Sequence, residues 1–118
     1  MIQPEKEFAR IFPKDAPVTG DSVVWTIPGD LPYFNGHFPQ SPIFPAIGII
    51  DASTYLLQRA LKRPSLRLKT VAAAKFLSPI VPGQEVRIEW RGLADTDWQV
   101  EWKENSSARL LATLRVHL

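Results

Sequence analysis

The sequence predicts an α+β domain in which an antiparallel sheet of about five strands covers one long helix. Residues 46–62 place apolar side chains around most of a helical circumference, which is typical of a buried helix. Pro45 is suited to the first turn of this helix, and Pro64 ends it. The remainder of the chain alternates between apolar and polar residues in short runs, as half-buried antiparallel strands do.

Each strand is predicted from alternation and from its content of β-branched and aromatic residues. Glu85 to Arg91 gives the clearest pattern, with Val86, Ile88 and Trp90 on one face and charged residues on the other. Hairpins are predicted near residues 95–96 and 105–106. The predicted strands are residues 22–27, 66–77, 85–91, a run around residues 98–102, and residues 108–118.

Composition limits the class of protein. The chain has 118 residues, a net charge of +2 and no cysteine, and we expect a single domain over residues 1–118. The weak charge and the lack of a Lys/Arg run argue against nucleic acid, and no apolar stretch is long enough to predict a membrane span. The absence of cysteine excludes disulfides and suits a cytoplasmic location. One such chain leaves a sheet edge and half the helix uncovered, so we expect a dimer that extends the sheet.

Two ionisable residues occur where the pattern favours apolar ones. His37 lies in a loop rich in proline and aromatic residues, and Asp51 lies between Ile50 and Ala52 in the helix. A carboxylate in apolar surroundings costs several kcal/mol unless it is paired or protonated. The pattern leaves two interpretations open: an acid–base pair, or a structural Asp51 that only hydrogen-bonds the loop beside it. Two distant histidines without a carboxylate cluster make a metal site an unfavoured interpretation.

Residues 36–51 read GHFPQSPIFPAIGIID and resemble the signature of 3-hydroxyacyl-[acyl-carrier-protein] dehydratases. That signature has Gly-His-Phe-Pro, further prolines, and an acidic residue fourteen positions after the histidine, the spacing between His37 and Asp51 here. The short chain also resembles the small dehydratases of aryl-polyene gene clusters. The acid is Asp51 where the short dehydratases have Glu, and Ala46 follows Pro45 where the family has Gly.

The resemblance implies a hotdog fold and a homodimer, or a higher oligomer, in which the histidine of one subunit faces the acid of the other. It implies that His37 removes the C2 proton, that protonated Asp51 helps the C3 hydroxyl leave, and that the Ala46 N–H, with a second donor near Phe38, binds the thioester oxygen. No cofactor is implied. The residues expected to line an acyl slot are Phe34, Phe38, Phe44, Ile47 and Ile50.

The implied substrate is carried on the phosphopantetheine arm of an acyl carrier protein. A basic cluster follows the helix, and it either steers that acidic partner or is simply a solvated helix end. Its members are Arg59, Lys62, Arg63, Arg67 and Lys69. Two other functions remain open: an acyl-CoA thioesterase, since hotdog domains also hydrolyse thioesters, and a non-catalytic protein that binds acyl chains.

Overall fold

The computed structural model describes residues 21–30, 34, 43–63 and 65–118, and within them one helix and five strands. The predicted number of strands and the single helix are therefore confirmed. The elements are β1 (Ser22–Thr26), α1 (Ala46–Ala60), β2 (Thr70–Phe76), β3 (Glu85–Ala94), β4 (Asp97–Glu104) and β5 (Leu110–His117).

The five strands form one antiparallel sheet in the order β1-β3-β4-β5-β2. The last three strands are a meander, in which Trp90 pairs with Val100 and Val100 pairs with Leu114. The two strands that come first in the sequence are added at its edges: Trp25 of β1 pairs with Val86, and Ala74 of β2 pairs with Leu114. Both edges of the described sheet are therefore formed by chain segments that flank the helix.

The core lies between α1 and the inward-facing side chains of the sheet. The alternation predicted for β3 is confirmed, because Val86, Ile88 and Trp90 are all buried. The helix is joined to the sheet by a polar contact as well as by packing, since Trp102 Nε1 donates a hydrogen bond to Ser53 Oγ at 2.9 Å. The helix residues on the buried side are Gly48, Ile49, Ala52, Ser53, Leu56, Leu57 and Gln58.

Its composition predicted that α1 would be buried on nearly all sides. Within this chain it is not. Ile47 is 57% exposed, and Asp51 and Tyr55 on the same side are half-buried. An amphipathic reading of α1 is therefore correct for the single chain, with one face against the sheet and another that the described residues of this chain do not cover. No helix among the described residues is long and apolar enough to cross a membrane.

The predicted strand at residues 66–77 is wrong in its first third, because β2 begins at Thr70. Leu66 is held by the helix instead: its N–H donates to Arg63 O at 3.1 Å, and its carbonyl accepts a hydrogen bond from Gln58 Nε2 at 2.6 Å. Pairing with β5 begins only where the Lys69 N–H reaches His117 O. Leu66 is therefore bonded to the helix and to the turn after it, and the strand begins after this contact.

Candidate active site

The candidate site is built on the first turns of α1. Pro45 is the N-cap residue, with φ −74° and ψ 161°, and its carbonyl accepts hydrogen bonds from the N–H groups of Gly48 and Ile49. None of the described side chains caps this end, and the first turn contains no acidic residue. The N–H groups of a helix's first turn lie at the positive end of its dipole. An exposed Ala46 therefore presents a backbone donor at a position suited to a developing negative charge.

A tight aromatic contact fixes how α1 begins. A Cβ added to Gly48 would lie 2.5 Å from Phe44 Cε1, so only glycine allows this ring to pack against the helix. Phe44 is 2% exposed, and its ring centroid is 6.2 Å from that of Trp25 and 6.1 Å from that of Trp102. This aromatic layer supports the helix turn from beneath.

Asp51 lies in the second turn of α1, on its less buried side. Ile47 is one turn before it and Tyr55 one turn after it, so the three residues share a face. Two positions along, Ser53 is anchored in the core: its hydroxyl donates to Ile49 O at 2.7 Å and accepts from Trp102. The carboxyl group of Asp51 is therefore presented by a turn whose opposite side is fixed to the sheet.

The predicted site residues fall into three groups. Ala46, Ile47, Ile50 and Asp51 share the start of α1, where the first two are exposed and the other two half-buried. Phe34 and Phe44 lie in the core, with ring centroids 5.8 Å apart. His37 and Phe38 lie outside the described residues. The assignment of roles at this site remains a prediction.

The five basic residues predicted as a cluster after the helix do not all line one surface. Three of its five members line a cleft of about 520 Å³ at the far end of α1, namely Arg63, Arg67 and Lys69. Arg59 instead lies over the ring of Tyr55, with its Cζ atom 5.9 Å from the ring centroid. Sequence reasoning did not find the opposite wall of the cleft, which comes from the β3–β4 hairpin at Asp95, Thr96 and Trp98.

The outer face of the sheet has paired charges. Lys103 Nζ lies 2.7 Å from Glu89 Oε1, and Arg87 Nε lies 3.2 Å from Glu89 Oε2. The hydrogen bond from Lys103 holds the pKa of Glu89 below its ordinary value of 4.5, and the same bond raises the pKa of Lys103. At the other side of this face, Asp97 pairs with both Arg115 and His117. We interpret these groups as parts of the sheet surface. In the described part of the chain, no group of three or more His, Cys, Asp or Glu residues could hold a metal ion.

Comparison with known families gives a match over residues 18–113, to the ApeI-like family, whose model is described as ApeI dehydratase. The chain belongs to the ApeI-like family of dehydratases. The resemblance found in residues 36–51 is thereby confirmed at the level of the family. The matched segment includes α1, β1 to β4 and part of β5.

Curated relatives agree with this assignment. The 3-hydroxyacyl-[acyl-carrier-protein] dehydratase FabZ of Brucella melitensis is 40% identical over 62 residues, a match covering 47% of this chain and 40% of the relative. The FabZ protein of a Methylobacterium species is 29% identical over 92 residues, or 70% of this chain and 54% of the relative. The ApeI-like chain thus spans about half the length of the curated relatives or less.

Solved structures confirm the hotdog fold. The dehydratase heterocomplex ApeI:P from Xenorhabdus doucetiae gives a TM-score of 0.69 at 19% identity, covering 86% of this chain and 89% of that one. Slr0204, a 1,4-dihydroxy-2-naphthoyl-CoA thioesterase from Synechocystis, gives a TM-score of 0.56 at 13% identity. The match covers 82% of this chain and 78% of that one. Dehydratases and thioesterases share this architecture, so the fold alone does not choose between their reactions.

Proposed function

We propose that this ApeI-like protein dehydrates 3-hydroxyacyl thioesters, held on an acyl carrier protein, to trans-2-enoyl thioesters in fatty acid or related lipid or polyene biosynthesis. The family match across residues 18–113 supports this most strongly, because it includes the segment from His37 to Asp51. The position of Asp51 agrees with it: a half-buried carboxyl group lies within the first two turns of α1, close to the backbone N–H groups at the start of the helix.

In the proposed reaction His37 takes the C2 proton, and the electron pair left on C2 passes through an enolate-like thioester. The double bond then forms between C2 and C3 as the C3–O bond breaks. Asp51 donates its proton to the departing hydroxyl, which leaves as water. Each positioned acid or base contributes roughly 10²–10⁴-fold to the rate.

The negative charge on the thioester oxygen needs a donor that is fixed before the reaction begins. The Ala46 N–H at the start of α1 meets that need, because it lies at the positive end of the helix dipole, where none of the described side chains caps the helix. Ala46 and Asp51 are five residues apart, which separates them by about 7.5 Å along the helix axis. That spacing supports the proposal that the Ala46 N–H acts at the thioester end of a short acyl segment and the Asp51 carboxyl group at its hydroxyl end.

Ile47 and Ile50 are the residues we propose as contacts for the acyl chain, since they flank Asp51 on the less buried side of α1. Phe34 and Phe44 contribute beneath them as part of the core layer. The proposal for Phe38 rests on the sequence resemblance alone. No cofactor takes part in this scheme, which transfers protons only.

A shared active site requires a second chain, and β2 is the edge at which we propose that it binds. All seven residues of β2 except Val71 are exposed, and the adjoining Leu77 is 54% exposed. No described strand pairs with the outer side of β2, and a sheet edge that bears apolar residues favours strand addition. We propose a homodimer with a continuous sheet, in a cytoplasmic protein. Because ApeI:P is a heterocomplex, the competing occupant of this edge is a related dehydratase chain.

The decisive experiment offers the purified protein a 3-hydroxybutyryl thioester. Dehydration produces the conjugated enoyl absorbance, whereas the thioesterase alternative releases a free thiol without it. His37→Ala and Asp51→Asn should each lower kcat by at least about 100-fold while circular dichroism is unchanged. Asp21→Asn, the same chemical change at an exposed position, is the matched control. Thiol release without enoyl formation would support the thioesterase, and neither product would support the non-catalytic acyl-binding protein.

A further inference from the structure

The cleft at the C-terminal end of α1 is separate from the candidate active site. Its volume is about 520 Å³, and its walls come from the end of the helix, the segment leading into β2, and the β3–β4 hairpin. Apolar side chains form part of the lining, including Leu61, Leu66 and Trp98. A cleft of this size with mixed lining is typical of small-molecule sites.

The charges in the cleft favour an anion. Arg63, Arg67 and Lys69 line it, and among the described residues of the lining only Asp95 has an acidic side chain. Within the described segments, neither Arg63 nor Lys69 takes part in an ion pair. The outer face of the sheet is different, because Arg87, Lys103, Arg109 and Arg115 each pair with a carboxylate there. The charges of Arg63 and Lys69 are therefore available to an anionic ligand, as far as the described residues are concerned.

The negative end of the helix dipole lies at this end of α1 and opposes an anion, but its effect falls off within the last turn. The last-turn carbonyls are already hydrogen-bonded by the chain as it turns away, with Lys62 in the left-handed region at φ 55°. The bonds run from Leu61 N to Leu57 O, from Lys62 N to Arg59 O, and from Arg63 N to Gln58 O.

The wall that bears Arg67 is held in place by the helix. Gln58, which is 8% exposed, donates to Leu66 O at 2.6 Å, and Arg67 Nη1 donates to the same oxygen at 3.0 Å. On the other wall, the Leu118 N–H donates to Thr96 O at 2.9 Å. The cleft is thus built on fixed backbone before any ligand binds, which lowers the entropic cost of binding.

We infer that this cleft binds the phosphate of the pantetheine arm on which the acyl group is carried. This inference rests on the proposed function and adds a phosphate site remote from the reacting atoms. Leu61 lies ten residues after Asp51, about 15 Å along the helix axis, a distance that an extended pantetheine arm spans. Tyr55 and Arg59 lie between the two places, one and two turns beyond Asp51, and both are half-buried.

The test compares two substrates with the same 3-hydroxyacyl group. One is a thioester of phosphopantetheine, and the other is a thioester of N-acetylcysteamine, which keeps the thiol end of the arm and lacks the phosphate. The measured quantity is the ratio of kcat/KM for the first substrate to kcat/KM for the second, which cancels any general loss of catalysis. Arg63→Gln and Lys69→Gln should each lower this ratio about three- to tenfold, and added salt should lower it in the wild type.

Arg91→Gln is the matched control, because it removes the same charge from the outer face of the sheet and should leave the ratio unchanged. Turnover of the N-acetylcysteamine substrate tests the proposed function separately: if it is absent, the dehydratase proposal fails. If turnover is present but the ratio is equal in wild type, Arg63→Gln and Lys69→Gln, the phosphate site is rejected.

Coenzyme A and acyl carrier protein present the same phosphopantetheine chemistry. The Arg63→Gln and Lys69→Gln variants should therefore lower kcat/KM for 3-hydroxyacyl-CoA and for the carrier-bound substrate by similar factors. A loss seen only with the carrier protein would assign Arg63 and Lys69 to contacts with that protein's surface and would overturn the phosphate site. As a measurement independent of turnover, phosphopantetheine should shift the backbone amide resonances of Leu66, Lys69 and Trp98, and pantetheine without phosphate should shift them much less.

Discussion

Ser53 and Trp102 form the hydrogen bond that joins the helix to the middle of the sheet. Trp102 Nε1 donates a hydrogen bond to Ser53 Oγ at 2.9 Å, and the serine hydroxyl in turn donates one to Ile49 O. Both Ser53 and Trp102 are 1% exposed or less. The bond fixes the rotation of α1 about its axis, and hence the direction in which Asp51 faces.

Replacing Ser53 by Ala should destabilise the protein by about 1–3 kcal/mol, because it leaves the buried indole N–H without an acceptor. Urea denaturation measures the free energy of unfolding. Thr54→Ala is the control, since Thr54 makes the equivalent bond to its own helix, to Ile50 O at 3.0 Å, and should change stability by less than about 0.5 kcal/mol. Equal losses in the two variants would show that the bond between helix and sheet adds nothing.

Gly48→Ala should destabilise the protein by about 1–3 kcal/mol, although alanine is the better helix former. The added methyl group would overlap Phe44, whose ring is 2% exposed and packs against Trp25 and Trp102. Gly92→Ala is the control: its Cβ would meet Trp98 at an ordinary contact distance of 3.5 Å. Adding Phe44→Leu should remove most of the Gly48→Ala penalty, as measured in a double-mutant cycle, and an unchanged penalty would rule out the contact as its cause.

The ion pair between Glu89 and Lys103 should contribute about 0.2–1 kcal/mol to the free energy of unfolding at neutral pH. The contribution is small because both side chains are partly exposed. The folded state lowers the pKa of Glu89 below 4.5. The contribution is therefore present above the unfolded-state pKa and is lost as pH falls through the lower folded-state value.

Glu89→Gln should accordingly reduce stability at pH 7, and the difference from wild type should disappear in acid. Thermal unfolding across pH 2 to 7 measures this, and the Lys103→Gln variant completes a cycle that isolates the pair. A difference that grows as the pH falls would have the wrong sign for this mechanism.

Leu77→Glu should convert the proposed dimer to monomer, because it places a charge next to the β2 edge where a second chain would bury it. Light scattering over a range of concentrations should show that the dissociation constant of the dimer rises at least about tenfold. Leu93→Glu makes the same change at a 40% exposed residue on β3 and should leave the association unchanged. If wild type is monomeric alone but associates with a related dehydratase chain, the homodimer is wrong and the edge serves a heterodimer.

The sequence was most informative where structure depends on local alternation. Val86, Ile88 and Trp90 could be assigned to the buried face of a strand because each residue's direction follows from its neighbours. The start of β2 could not be found this way. The residues before it include Leu66, whose carbonyl accepts a hydrogen bond from Gln58, eight positions earlier, and local alternation does not reveal such a contact.

The same distinction holds for the site. Asp51 stands out in sequence because a carboxyl group interrupts apolar neighbours. Ser53 does not, since its partner Trp102 is 49 positions away and only the folded chain brings them together. Only one wall of the cleft could be predicted from the sequence, because its basic residues lie close together in the chain. The opposing Asp95 and Trp98 belong to a hairpin that is distant in sequence.

The order of strands in the sheet has a consequence for synthesis on the ribosome. β1 pairs with β3, and β2 pairs with β5, which comes after β3 and β4 in the chain. Neither early strand can take its place in the described sheet until those later segments leave the exit tunnel. Until then the nascent chain carries α1 and two strands that lack these partners, and such intervals expose apolar surface that chaperones bind.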